Sequence, residues 1–172
     1  MDTQNYFRLF DLPVQYDIDL QALQGNYRKI QAEVHPDKFV TASSSERLQS
    51  MQTATLTNEA YQTLKHPTAR ARYLLQLQGV ETLQDSNTAM PADFLMSQME
   101  WREAMEEAQY AKDVGALEAL LSTIQNAGKS LQAAFAQALA NDAQAASQLV
   151  RKLSFIDKIS ADIHDMISRL ED

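Results

Sequence analysis

The stretch that decides the fold is residues 19–39, which read DLQALQGNYRKIQAEVHPDKF. Its apolar residues recur every three or four positions: Leu20, Leu23, Tyr27, Ile30 and Val34. This spacing places them on one face of a helix, and Pro36 ends that helix because proline lacks a backbone donor and clashes with the preceding turn. The stretch therefore predicts an amphipathic helix over about 19–34, followed directly by a turn at His35-Pro36-Asp37.

Helical patterns continue on both sides of this stretch. Tyr6 to Phe10 predicts a short first helix, which ends before Leu12-Pro13 because the residue preceding a proline avoids helical angles. After a small polar loop, a long helix is predicted from about Glu46 to Lys65. The residues predicted to form its inward face are Leu48, Met51, Thr55, Tyr61 and Leu64. Pro67 interrupts this helix, and residues 69–78 continue as another helical segment.

Residues 79–91 lack periodicity and end in a helix-starting proline, so they predict a linker between domains at 1–78 and 92–172. Three amphipathic helices are predicted beyond it, at about 92–111, 114–140 and 143–170. Their apolar stripes are Phe94, Trp101, Met105 and Ala108; Leu117, Leu120, Leu121, Ile124, Leu131, Phe135 and Ala138; and Leu149, Leu153, Ile156, Ile163, Ile167 and Leu170. Such helices bury their stripes most simply as an antiparallel bundle. The predicted fold class is all-α, a helical hairpin plus a C-terminal three-helix bundle.

Composition restricts the functions open to this chain of 172 residues. The absence of cysteine excludes disulfides, zinc–thiolate sites, a cysteine nucleophile and cysteine-ligated clusters. The three histidines lie far apart, so we expect no metal site. The net charge of −8 disfavours nucleic acid as a partner. All of that excess follows residue 75, which predicts different surfaces and different roles for the two halves.

The N-terminal sequence has neither the basic residues nor the apolar run of a signal peptide, and no stretch reaches the length of a membrane span. We therefore expect a cytoplasmic protein without a membrane partner. We also expect a binding protein that is not an enzyme and carries no cofactor.

The His35-Pro36-Asp37 turn is a weak signal alone and a strong one in its setting. It follows a helix that bears Arg28 and Lys29, and it precedes a helix carrying Asn58-Glu59-Ala60-Tyr61-x-x-Leu64, then Pro67 and Arg70-Ala71-x-Tyr73. Together with the first helix, Tyr6-Phe7-x-x-Phe10-x-Leu12-Pro13, these motifs make residues 1 to about 75 resemble the J-domain family. The resemblance implies that a surface docks on a heat-shock-type chaperone ATPase and triggers ATP hydrolysis. The residues of that surface are His35, Pro36, Asp37, Lys38, Arg28 and Lys29.

The residue types suit this role. Pro36 fixes a rigid turn that presents its two neighbours, and the Asp37 carboxylate can pair bidentately with an arginine of a partner. Arg28, Lys29 and Lys38 add positive charge suited to an acidic partner surface. Gln24 and Gln31 depart from the resemblance, since many J-domains are more basic on that face.

The rest of the chain narrows the resemblance. Generic J-proteins continue with Gly/Phe-rich tracts or Cys-x-x-Cys repeats, and this chain has neither. It continues with RARYLL (70–75), Phe94-Leu95-Met96 and VRKLSFIDK (150–158) within acidic helices. Along its full length it resembles the bacterial J-type co-chaperones of iron–sulfur cluster assembly. That resemblance implies a second partner, the iron–sulfur cluster scaffold protein.

The helix that starts after Pro91 has a second patterned face. Its members are Leu95, Met96, Met99, Glu100, Glu103 and Glu107, which fall within an arc of about 140° off the predicted core stripe. Apolar residues beside acids are typical of a docking surface, although the pattern alone favours a wide core stripe beside a solvated acidic face, and the resemblance reverses that preference. The resemblance places the contact with the scaffold protein on these positions and on Phe155.

Three interpretations therefore compete. In the leading one the chain is an adaptor, whose C-terminal bundle holds the scaffold protein while the J-domain delivers it to the chaperone. In the second it is a general J-protein with other clients, which the missing Gly/Phe and zinc segments disfavour. In the third it is a structural helical protein in which His35-Pro36-Asp37 is incidental.

Overall fold

The computed structural model describes residues 5–80 and 90–172, which form seven α-helices, one 3-10 turn and no β-strand. In chain order these are α1 (Tyr6–Leu9), α2 (Leu20–Glu33), the 3-10 turn (Pro36–Phe39), α3 (Ser44–Lys65), α4 (Pro67–Leu77), α5 (Ala92–Tyr110), α6 (Val114–Asn141) and α7 (Ala143–Glu171). The prediction of an all-α fold is confirmed. No helix within these residues combines the length and apolar character needed to cross a membrane.

The backbone divides into two compact units, residues 1–74 and 75–172, called here the N-terminal and C-terminal units. The linker predicted at 79–91 falls mainly on residues 81–89, which lie outside the described residues. That boundary therefore stays a prediction.

Polar side chains fix the starts of five helices. Asn5, Asp19, Ser43, Asp113 and Asp142 each accept hydrogen bonds from backbone N–H groups in the first turn of the helix that follows. Each such cap satisfies donors that have no partner inside the helix, and it typically stabilises by about 1 kcal/mol. The caps explain why the helices begin where the sequence periodicity places them.

Helix α1 docks in the N-terminal unit through aromatic residues. Phe7 and Phe10 are fully buried. The backbone N–H of Tyr6 donates to the Tyr73 hydroxyl oxygen at 2.9 Å, and the two rings stack with centroids 4.5 Å apart. Burial raises the pKa of both phenols above its ordinary value.

Arg70 is a buried cation at the corner between α3 and α4. Its Nη1 donates to the carbonyl oxygen of Leu64 at 2.8 Å, and its guanidinium lies 4.9 Å from the ring centroid of Tyr16. The Leu64 carbonyl belongs to the last turn of α3, where carbonyls lack helical partners. Burial lowers the pKa of Arg70, while Tyr16 and Asp17 oppose that change. This side chain therefore ties the loop before α2 to the α3–α4 corner.

The predicted inward face of α3 is wrong in its first half, where Leu48, Met51 and Thr55 are exposed. The buried residues of α3 are Ser50, Thr57, Ala60 and Leu64. The helix packs against α2, where Tyr61 stacks on Tyr27, and the Thr57 hydroxyl donates to the Thr53 carbonyl at 2.7 Å. That internal hydrogen bond removes the cost of burying the hydroxyl group. On α2, Leu20 is likewise exposed, whereas Leu23 is buried as predicted.

In the C-terminal unit, α5, α6 and α7 pack on one another, and α6 and α7 make the most extensive contact. The observed helices agree with the predicted ones within one residue at either end. Their shared core is Met105, Ala108, Leu117, Leu121, Ile124, Ile156, Ile159 and Ile163. Gly128 lets α6 and α7 approach closely, since a Cβ atom there would lie 3.1 Å from Cγ2 of Ile156.

Candidate partner-binding surfaces

The His35-Pro36-Asp37 turn is exposed and internally braced. The backbone N–H of Asp37 donates to Nδ1 of His35 at 3.2 Å, and the backbone N–H of Lys38 donates to the His35 carbonyl at 3.0 Å. Nδ1 also lies 3.5 Å from the Asp37 carboxylate, but the shorter contact makes Nδ1 an acceptor and leaves the ring proton on Nε2. The side chains of His35 and Asp37 are 59% and 88% exposed. The turn therefore offers an imidazole donor and a carboxylate to a partner.

Tyr27 links the two helices that carry this turn. Its hydroxyl donates to Oδ1 of Asn58 at 2.6 Å and accepts a hydrogen bond from Nε2 of Gln31 at 2.7 Å. Its ring stacks on Tyr61 with centroids 3.9 Å apart. These contacts clamp α2 against α3 and fix the position of the turn. Gln31, which departs from the J-domain resemblance as a neutral residue, is part of this clamp.

A groove of about 310 Å³ lies beside the turn. His35 and Pro36 form one part of its lining, and Gln31, Ala54 and Asn58 form another. The lining contains no Asp, Glu, Lys or Arg, so the charges of the surrounding surface come from other residues. Arg28 and Lys29 on α2, and Lys38 in the 3-10 turn, are all exposed. The six residues predicted to bind the chaperone are thus accessible on α2 and the turn that follows it.

Helix α5 presents its second patterned face to solvent. Met96 and Met99 are 62% and 70% exposed, and Leu95 is less exposed than either. Glu100, Glu103 and Glu107 are exposed as well. Because Phe94, Met105 and Ala108 supply the buried face of α5, the exposed apolar residues lie off the core.

Phe155 of α7 lies at the edge of the core. Its ring packs edge-to-face on Phe94 with centroids 5.8 Å apart, and it stacks with Trp101 at 6.4 Å. The guanidinium of Arg102 lies 5.4 Å from the Phe155 ring centroid, and Nζ of Lys152 lies 5.4 Å from that of Phe94. This aromatic cluster (Phe94, Trp101 and Phe155) joins α5 to α7. Phe155 itself is half-buried.

Comparison with known proteins identifies the family. Residues 90–164 match the family described as the HSCB C-terminal oligomerisation domain. The co-chaperone protein HscB homolog of Paraburkholderia phymatum is 48% identical over 168 residues, which are 97% of this chain and 96% of that protein. Its counterpart in Cupriavidus taiwanensis is 47% identical over 169 residues, 98% of this chain and 96% of that protein. The chain belongs to the HscB co-chaperone family.

Two solved structures of the HscB family share the fold. HscB from Vibrio cholerae superposes with a TM-score of 0.86 at 39% identity, covering 96% of this chain and 99% of that one. The human co-chaperone HscB gives a TM-score of 0.88 at 30% identity, covering 95% and 82%. The resemblance inferred from the sequence is therefore confirmed at the level of the family and the fold.

Several features of this HscB-family chain were not predicted from the sequence. The Tyr27 clamp and the aromatic cluster depend on how helices rotate against each other, which periodicity does not specify. Tyr110, at the end of α5, is 93% exposed and was not predicted to belong to any surface. The sequence signal that could have found it is its helical spacing from Leu95 and Met99, which places the three residues on the same side of α5. Across residues 5–80 and 90–172, no group of three or more His, Asp and Glu side chains is placed to hold a metal ion.

Proposed function

We propose that the chain stimulates the ATPase of a specialised heat-shock-type chaperone (HscA-like) and delivers the iron–sulfur cluster scaffold protein (IscU-like) to it. It would act in the cytoplasm and aid maturation and transfer of the cluster by binding, without catalysis of its own. Membership in the HscB family and the resemblance to J-type co-chaperones of iron–sulfur cluster assembly both support this function.

The observation that carries the proposal is the exposed, braced turn at His35-Pro36-Asp37. A carboxylate that is almost fully exposed at a rigid position pairs readily with an arginine, because little conformational freedom remains to be lost. The Tyr27 clamp keeps this turn in place on two packed helices. Pro36 and the 3-10 turn limit the backbone further.

The client surface proposed on α5 comprises Leu95, Met96, Met99, Glu100, Glu103 and Glu107, with Phe155 beside it. Exposed methionines suit an interface because their flexible, polarisable side chains adapt to a partner. The glutamates repel one another at helical spacings of three and four residues, which costs a few tenths of a kcal/mol per pair. A basic client would relieve that repulsion.

A steady-state ATPase assay with the purified cognate chaperone tests the proposal. Addition of the chain should raise turnover, and addition of the scaffold protein should raise it further, because the chain would then deliver a client to the chaperone while it stimulates hydrolysis. Unchanged turnover in both conditions would contradict the proposed function. If the chain raises turnover but the scaffold protein adds nothing further, only the proposal that the scaffold protein is the client is contradicted.

Binding to the chaperone should weaken as salt is added. Arg28, Lys29 and Lys38 are exposed, so attraction of an acidic partner is screened when the Debye length falls from about 10 Å at 0.1 M salt to about 3 Å at 1 M. Affinity measured by titration across this range should fall steadily. A variant with all three residues changed to Ala should bind weakly and respond little to salt.

Lys129→Ala provides the matched control for the salt experiment, since Lys129 is an exposed lysine on α6. It should retain both the affinity and the salt response. An affinity that stays constant from low to high salt would mean that the basic residues do not steer docking.

A further inference from the structure

Helix α5 carries an exposed ridge that runs past the client surface proposed above. The α5 ridge consists of Leu95, Met99, Glu103, Glu106 and Tyr110, all of which are exposed. Their spacings of four, four, three and four residues keep them within an arc of about 80° along an axial length of about 22 Å. The ridge therefore forms one continuous strip with apolar residues at both ends and acids between them.

Tyr110 is the most exposed large apolar residue described in the chain, at 93%. Among the residues that the structure describes, its ring makes no aromatic or cation contact. It follows that Tyr110 does not stabilise the fold by packing. A tyrosine contributes a large, rigid contact area with a polar tip, which is why this residue type is common in binding interfaces.

The two acids of the ridge, Glu103 and Glu106, lie at positions of α5 where a negative charge is electrostatically unfavourable. Residues 92–110 contain five acids and one base, and that base, Arg102, lies against the Phe155 ring. Glu103 and Glu106 are three residues apart, so they repel, and Glu106 is close to the negative end of the helix dipole. Neither has an ion-pair partner among the described residues. An external cation would therefore stabilise this part of α5.

We propose that the scaffold-binding surface extends along the α5 ridge to Tyr110, and that the partner lays a basic segment between two apolar contacts. The inference rests on the proposed function and adds Glu106 and Tyr110 to it. The apolar contacts are Leu95 and Met99 at one end and Tyr110 at the other. The length of the ridge requires a partner segment that spans about 22 Å.

The test titrates the purified cognate scaffold protein against the full chain and two variants. Tyr110→Ala should weaken binding about tenfold, the usual effect of removing one large apolar anchor. Glu106→Gln should weaken it severalfold at low salt and hardly at high salt, because the contribution is electrostatic. Neither variant should lower the thermal midpoint, and Glu106→Gln should raise it slightly because a repulsion is removed.

Met51→Ala is the matched control, because it removes an exposed apolar side chain from α3 in the other unit. If Met96→Ala/Met99→Ala weakens binding but Tyr110→Ala does not, the surface ends before Tyr110 and the extension is wrong. If none of these variants weakens binding of a scaffold that the parent chain does bind, the proposed client site itself is misplaced. If Tyr110→Ala alters self-association measured by sedimentation instead of scaffold affinity, the ridge is a contact between copies and the extension is likewise overturned.

Discussion

Replacing His35 by glutamine is expected to abolish stimulation of the chaperone ATPase while leaving the fold intact. His35 lies on the surface, and among residues 5–80 and 90–172 the polar contacts of its side chain stay within its own turn, to the backbone N–H and carboxylate of Asp37. Exposed substitutions of this kind usually change stability by no more than about 0.5 kcal/mol, or about 1 kcal/mol where a cap is lost. The loss should therefore lie in partner contact. ATPase turnover as a function of co-chaperone concentration measures it.

His66→Gln makes the same chemical change at an exposed histidine that follows α3, in the same unit. This control should stimulate normally. Asp37→Asn should resemble His35→Gln, because it removes the charge needed for a bidentate pair with arginine and retains the size of the side chain. Circular dichroism and a thermal melt establish that each variant is folded. Full stimulation by folded His35→Gln would refute the role assigned to the turn.

The helices most accurately predicted from the sequence were the long ones of the C-terminal unit. Helices α6 and α7 each repeat an apolar stripe over about six turns, and each begins directly after a capping aspartate, Asp113 or Asp142. A long regular pattern averages out single exceptions, and a cap fixes where the helix starts. Both signals are local in sequence, so no tertiary information was needed.

Helix α3 shows where such reasoning fails. Hydrophobicity placed Leu48 and Met51 inside, yet the helix buries Ser50 and Thr57. The contact with α2 includes the stack of Tyr61 on Tyr27, and the buried residues of α3 combine the small Ser50, Thr57 and Ala60 with Leu64. Which side of a helix faces a neighbour depends on the volumes on both surfaces. A single hydrophobicity pattern therefore could not predict it.

The candidate sites likewise include one part that could be predicted from local sequence and one that depends on tertiary packing. The turn at His35-Pro36-Asp37 could be predicted because its three residues are contiguous and its exposure follows from the proline. The packing of Phe155 could not be predicted, because its contacts with Phe94 and Trp101 depend on how α5 crosses α7. The resemblance placed Phe155 among the residues that contact the scaffold protein, and in the structure its ring is half-buried.

Replacing Met96 and Met99 together by alanine is expected to weaken scaffold binding about a hundredfold, while ATPase stimulation without the scaffold stays unchanged. Both side chains are mostly exposed, so their truncation leaves no cavity, and alanine is the better helix former. Apolar anchors at an interface centre often contribute about 1–2 kcal/mol each, and about 1.4 kcal/mol corresponds to a tenfold change in affinity. Titration of the purified scaffold protein measures the effect.

Leu48→Ala/Met51→Ala is the control for that variant, because it removes two exposed apolar side chains from α3 in the other unit. It should bind the scaffold as tightly as the parent chain. Phe155 is best left intact in this experiment, since Phe155→Ala would break the aromatic cluster and confuse lost contact with lost stability. If the methionine variant melts like the parent and still binds the scaffold at full strength, then α5 does not carry the client site. An equal loss of affinity in the methionine variant and in the Leu48→Ala/Met51→Ala control would mean that the scaffold binds exposed apolar side chains in general and not a specific surface.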